Sequence, residues 1–159
     1  MDSSEHLIVP IWQAFVWLDE GLQNFLKLKG WPDVTRPQSM VMTNVALGIR
    51  RPSDIARNLG VSRQAIHVTI RQMVDLNMLF LTTDPDDARS KIVGIADTGL
   101  MMRETAREAM RLLAAELRRR IGSANVDHLQ SALSADWGEP MDWTSDSMSP
   151  TKWAVRATA

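Results

Sequence analysis

Arg63, Gln64, His67, Val68 and Arg71 are spaced so that, at 100° per residue on a helix, they fall on one arc together with Gln72 and Asp75. Ile66, Ile70, Met73 and Leu76 take the other side, flanked by Ala65 and Thr69. The inner set suits packing and the outer set suits hydrogen bonding in a groove. In the DNA major groove Gln pairs bidentately with adenine, Arg with guanine, and a methyl-bearing side chain touches thymine. The N-terminal half of such a helix meets base edges. Base reading is therefore assigned to Gln64, His67 and Val68, with Arg63 and Arg71 divided between base edges and phosphates and Ser62 at the start of the interface. On an arbitrary helix the same arc would be only a solvated face. Its neighbours decide otherwise.

Before this helix lies Ser53-Asp54-Ile55-Ala56-Arg57-Asn58-Leu59, then Gly60-Val61, with Ser53 and Ser62 placed to cap one helix each. Two short helices around a Gly-containing turn make a helix-turn-helix. After it come two β-type runs, Phe80–Thr83 and Ile92–Ala96, joined by a polar loop, which reads as a hairpin wing. The loop starts acidic and ends basic. Arg89 near its tip suits a minor groove, whose negative potential attracts guanidinium groups, and Lys91 adds a second cation. Asp87 is expected to brace Arg89. Three Asp within four residues also invite a metal reading, but a calcium loop counted from Asp84 needs Gly and Glu where Arg89 and Ile95 stand. No metal is expected. The combination points to duplex DNA.

The remaining elements position this unit. Ile11, Phe15, Leu18, Leu22 and Phe25 make one apolar stripe on a helix from about residue 8 to 28, closed by Gly30 and Pro32. Thr35 caps a second helix to Leu47, and Ser62 opens a fourth to about Asn77. A long helix from about residue 100 to 121 carries Met102, Ala106, Met110, Leu113, Leu117 and Ile121 on one face, and a shorter one runs from Ser123 to about residue 135. The expected fold is mainly α with a small β-hairpin wing: a winged helix-turn-helix lobe at about 35–97 and a helical dimerisation lobe from 8–29 and 100–135. Residues 1–135 then form a single domain, and 136–159, with Trp137, Trp143 and Trp153, a C-terminal tail.

Composition excludes several classes. The chain has 159 residues, no Cys and a net charge of -1, so disulfides and thiolate metal sites are absent. It has no apolar run near the ~20 residues that span a bilayer and no secretion signal, so a cytoplasmic protein without membrane contact is expected. Its charge is uneven: residues 37–91 carry 7 basic and 5 acidic groups, while 1–36 carry 3 and 5. Between residues 50 and 71, five Arg face Asp54 alone, and a local patch rather than the total sets the attraction to phosphate. No G-x-S-x-G elbow, H-E-x-x-H or phosphate-cradling Gly loop occurs, so no catalytic residue and no cofactor are assigned and an enzyme is not expected.

The stretches SDIARNLGVSRQAIHVTI and DPDDARSK, with the Ile95-to-Gly99 close before the long helix, resemble the multiple antibiotic resistance regulator (MarR) family of winged-helix transcription factors. The resemblance covers about Thr35 to Ala135, with the first helix matched by pattern only. It implies a homodimer, a pseudopalindromic DNA site and release from DNA by a small molecule. It also carries the family's wing Arg and its Asp partner onto Arg89 and Asp87. Ala88 stands where the family often has another Arg. The family often binds aromatic acids between its lobes, where Trp12, Phe15, Trp17, Met40 and Met42 are available here, although such residues more often form ordinary core. The expected function is a DNA-binding transcriptional repressor. The other reading is a winged helix used only to bind protein, which would lack a steep salt dependence.

Overall fold

Between residues 6 and 140, which the computed structural model describes, the chain forms six helices and one antiparallel ribbon. In order these are α1 (Ile8–Leu28), α2 (Arg36–Ala46), α3 (Pro52–Leu59), α4 (Arg63–Asp75), β1 (Leu79–Asp84), β2 (Asp87–Ile95), α5 (Asp97–Ile121) and α6 (Ser123–Ser134). The chain divides after Arg120 into two compact units. Among the described residues no helix is long and apolar enough to cross a membrane.

Local chemistry explains the helix starts. Thr35 and Gln38 form a capping box at α2, the Thr35 N–H donating to Gln38 Oε1 at 2.9 Å. Ser62 opens α4 by accepting from the Ala65 N–H at 3.1 Å. Ser53 does not cap α3, contrary to expectation. Pro52 occupies the first turn instead, with Arg51 in extended backbone before it, because proline has a preset φ and no N–H to leave unpaired. Gly60 ends α3 in the left-handed region at φ 64°, ψ 30°, which makes the tight turn into α4.

The winged-helix core is built from α2, α3, α4 and the ribbon. Val41, Ile55, Ile70, Met73, Met78, Leu79 and Val93 are almost completely buried there. Leu26 of α1 and Met102 of α5 join the same cluster. The residue that leads into the ribbon meets the first turn of α5 so closely that a Cβ at Gly99 would lie 2.2 Å from the Met78 carbonyl oxygen.

Outside this core the apolar stripes are incompletely covered. At the start of α1, the cap residue Leu7 and Ile8, Val9, Ile11 and Trp12 are exposed, and on α5 so are Met110 and Ile121. Within the second unit, Val126 of α6 is buried while Leu129, Leu133 and Trp137 are exposed. The Trp137 indole N–H donates to the Ala132 carbonyl at 2.9 Å. Trp143 and Trp153, assigned to the tail, lie outside the described residues.

Candidate nucleic-acid interface

On α4 the helical wheel is realised almost side chain by side chain. Ile66, Ile70 and Met73 are buried, while Arg63, Gln64, His67, Val68, Arg71, Gln72 and Asp75 are exposed. Leu76 and Ala65 depart from the expected inner set: Leu76 follows the last turn as the cap residue and is 39% exposed, and Ala65 in the first turn is exposed as well. The side chains of Arg63, Gln64, His67 and Arg71 have no hydrogen bond or ion pair with another described residue. An exposed row of donors without internal partners is open to an external acceptor. Gln72 differs, accepting from Gln38 Nε2 of α2 at 3.4 Å. That contact fixes the helix from its flank.

The wing is shorter at its turn than the sequence reading expected. Pro85 and Asp86 alone connect the strands, and Asp84 pairs with Asp87. Thr83 pairs with Lys91, so Ala88, Arg89 and Ser90 form a bulge on β2 with no partners across the ribbon. A bulge bends its strand and re-aims its side chains. Here it carries Arg89, which is exposed. Asp87 holds the main chain of Arg89 rather than its guanidinium: its Oδ1 accepts from the Arg89 N–H at 3.0 Å, while its Oδ2 accepts from the Ser90 hydroxyl at 2.7 Å. These bonds, Ser90 foremost, hold the Asp87 carboxyl below the usual range. Lys91 crosses the ribbon to donate from Nζ to Thr83 Oγ1 at 3.0 Å.

Three of the five arginines counted in the basic patch prove to be engaged. Arg57 pairs with Asp54 at 3.3 Å within α3. Arg50 donates from Nε to the Val93 carbonyl at 3.0 Å, and the Val93 N–H donates back to the Arg50 carbonyl at 2.9 Å. Arg51 donates from Nε to Asp84 Oδ2 at 2.6 Å, and the same carboxylate accepts the Asp86 N–H through Oδ1 at 3.0 Å. Asp84 is 4% exposed and its carboxyl is held below the usual range, chiefly by the Arg51 hydrogen bond.

Residues 33–90, which contain the helix-turn-helix and most of the wing, match the MarR family model. Over that segment the chain is similar to the MarR family. The similarity in fold extends further: apo MarR from E. coli aligns with 80% of this chain and 94% of its own at 20% identity and a TM-score of 0.66. A MepR mutant from S. aureus bound to an oligodeoxyribonucleotide covers 81% and 94% at 14% identity and a TM-score of 0.56. A transcriptional regulator from Thermotoga maritima covers 77% and 85% at 17% identity and a TM-score of 0.58. No curated protein sequence matches this one at a significant level.

Of the side chains expected to line a ligand pocket, Trp12 and Phe15 lie together, with ring centroids 5.6 Å apart. The Arg36 guanidinium lies over the Trp12 and Phe15 rings at 5.4 and 5.7 Å, while its Nε donates to Asp19 Oδ2 at 2.8 Å. Arg120 lies over Trp17 at 5.6 Å, Met42 is buried in the core and Met40 is half-buried. An open cleft of about 580 Å³ lies nearby on different residues, among them Leu22, Thr43, Ala106, Met110 and three arginines, Arg103, Arg107 and Arg111. Arg103, Arg107 and Arg111 recur every fourth residue of α5, which puts them on one side of the helix.

Proposed function

We propose that this protein is a cytoplasmic transcriptional repressor that binds duplex DNA as a homodimer on a pseudopalindromic operator. Gln64, His67 and Val68 meet base edges, Arg63 and Arg71 divide between bases and phosphates, and Arg89 enters the minor groove with Lys91 beside it. The observation that carries this reading is the row on α4 that is exposed and has no internal partners. Its support is a buried underside, a capped start and a braced wing, which hold the row without using it. The DNA-bound oligonucleotide complex of a protein of similar fold adds to that support. A dimer would cover the apolar side chains left exposed on α1, and two recognition helices would then stand about 34 Å apart, one DNA turn.

A small aromatic acid suits the cleft on α5, where Leu22, Ala106 and Met110 offer apolar surface and Arg103 and Arg111 offer charge. Its binding would compete with the DNA-bound arrangement and release the operator. The deciding experiment is selection of duplexes from a random pool by the full-length protein, followed by titration at several salt concentrations. Enrichment of an inverted repeat and a steep fall of affinity with salt are expected. An unenriched pool and salt-independent binding would leave only the protein-binding reading.

A further inference from the structure

Arg50 and Arg51 precede α3 and belong by sequence to the basic patch, yet both turn toward the wing. Their contacts span 43 and 33 residues of chain. The Arg50 carbonyl and its Nε both bond the Val93 main chain on β2, and the Arg51 side chain ties the end of β1 at Asp84. Asp84 is the last residue of β1, directly before the Pro85-Asp86 turn and opposite Asp87, which in turn holds Arg89. We propose that Arg51 and Asp84 are positioning residues for the wing: the pair fixes the angle at which the bulge presents Arg89 to DNA and is not itself a phosphate site. This rests on the DNA-binding reading above.

The chemistry makes the pair suited to that task. Asp84 is nearly buried and both its oxygens are occupied, Oδ2 by Arg51 and Oδ1 by the Asp86 N–H. A guanidinium with a carboxylate in short contact has its charge largely cancelled for a distant phosphate. Asparagine at this position has one oxygen for two donors, so either the anchor or the turn loses its acceptor.

The two roles predict opposite signs for Asp84→Asn. Removing the carboxylate adds net positive charge beside DNA; were Arg51 a phosphate ligand, freeing it would raise affinity and steepen the salt dependence by about one unit. The positioning role predicts a loss instead, roughly tenfold and approaching that of Arg89→Ala, with a salt dependence flattened by about one unit. The measurement is affinity for a fixed duplex recovered by selection with the full-length protein, for the parent, Asp84→Asn, Arg89→Ala and the double variant. The double variant is expected to bind no more weakly than Arg89→Ala alone, and base preference at the major groove is expected to stay that of the parent. Equal or tighter binding by Asp84→Asn overturns the proposal, as does a loss that multiplies with that of Arg89→Ala. Should Asp84→Asn fail to fold, Arg51→Lys makes the same comparison, because it keeps the charge and removes the Nε donor; undiminished binding by that variant also overturns the proposal. Indifference to Arg89→Ala removes the wing from the interface and the proposal with it. Failure of the parent to select any duplex sinks the DNA-binding reading itself.

Discussion

The basic side chains between residues 50 and 91 divide by whether a partner inside the chain has already claimed them. Arg51 and Arg57 face carboxylates, Arg50 a carbonyl and Lys91 a hydroxyl, whereas Arg63, Arg71 and Arg89 have no side-chain acceptor among the described residues. The attraction to phosphate is thus concentrated on fewer residues than a count of charges implies. Arg89→Ala is expected to weaken binding on all duplexes and reduce the salt slope by about one. Arg57→Ala is expected to do less, since Asp54 already screens it. Gln64→Ala acts on sequence rather than strength: losing a bidentate base contact costs about 1–3 kcal/mol of discrimination at one base pair per half-site. Identical selection profiles for Gln64→Ala and parent would remove Gln64 from base reading. Acid exposes the anchor separately. The folded-state carboxyl of Asp84 lies below its ordinary 3.8, so its contribution to stability is complete above that value and fades as pH falls through it toward the lowered one. Urea midpoints of parent and Asp84→Asn should therefore differ at pH 6 and converge toward pH 3. A constant gap across that window would show that ionisation of Asp84 contributes nothing.

At the scale of elements, what the sequence announces is what neighbouring residues decide together. The Ser62 cap, the Gly60 turn and the buried Ile66-Ile70-Met73 row each depend on residues within one or two helical turns, and all are found where the spacing puts them. Ser62→Ala should destabilise the fold by about 1 kcal/mol through loss of the Ala65 bond, read as a lower thermal midpoint. An unchanged midpoint would mean that water satisfies the freed N–H equally well. The contacts that the sequence did not disclose join distant positions: Arg51 to Asp84, Arg50 to Val93 and Arg36 to Asp19. Nothing near Arg51 distinguishes a phosphate ligand from an internal anchor, because the carboxylate that claims it is delivered by the fold. The wing's turn was hidden for a related reason. Asp84 to Lys91 has the composition of a polar loop, and only the cross-strand register reveals a two-residue connection and a bulge. The sequence also did not disclose which cations lie over the aromatic rings of α1: Arg36 is over Trp12 and Phe15, and Arg120 over Trp17.

For the whole molecule, the unfinished surface is the start of α1. Ile8 is 77% exposed and Leu7 71%, and Val9, Ile11 and Trp12 after them are exposed too, a concentration of apolar side chains in water of the kind that marks an interaction surface. The proposed dimer covers it, and the dimer also sets DNA affinity, since two linked recognition helices bind far more tightly than either alone. Ile8→Glu tests both links at once. The residue makes little contact within its own chain, so the thermal midpoint of the monomer fold should hardly move. Across a dimer interface the same change removes about 2 kcal/mol of apolar burial per copy and adds a charge that must be desolvated. Sedimentation should then report a shift from dimer to monomer at concentrations where the parent is dimeric, and affinity for an inverted repeat should fall by at least tenfold while affinity for a single half-site stays near the parent's. A variant that remains dimeric would move the interface off the start of α1. One that becomes monomeric yet keeps full affinity for the inverted repeat would separate DNA binding from assembly, and the half-sites would have to be read independently.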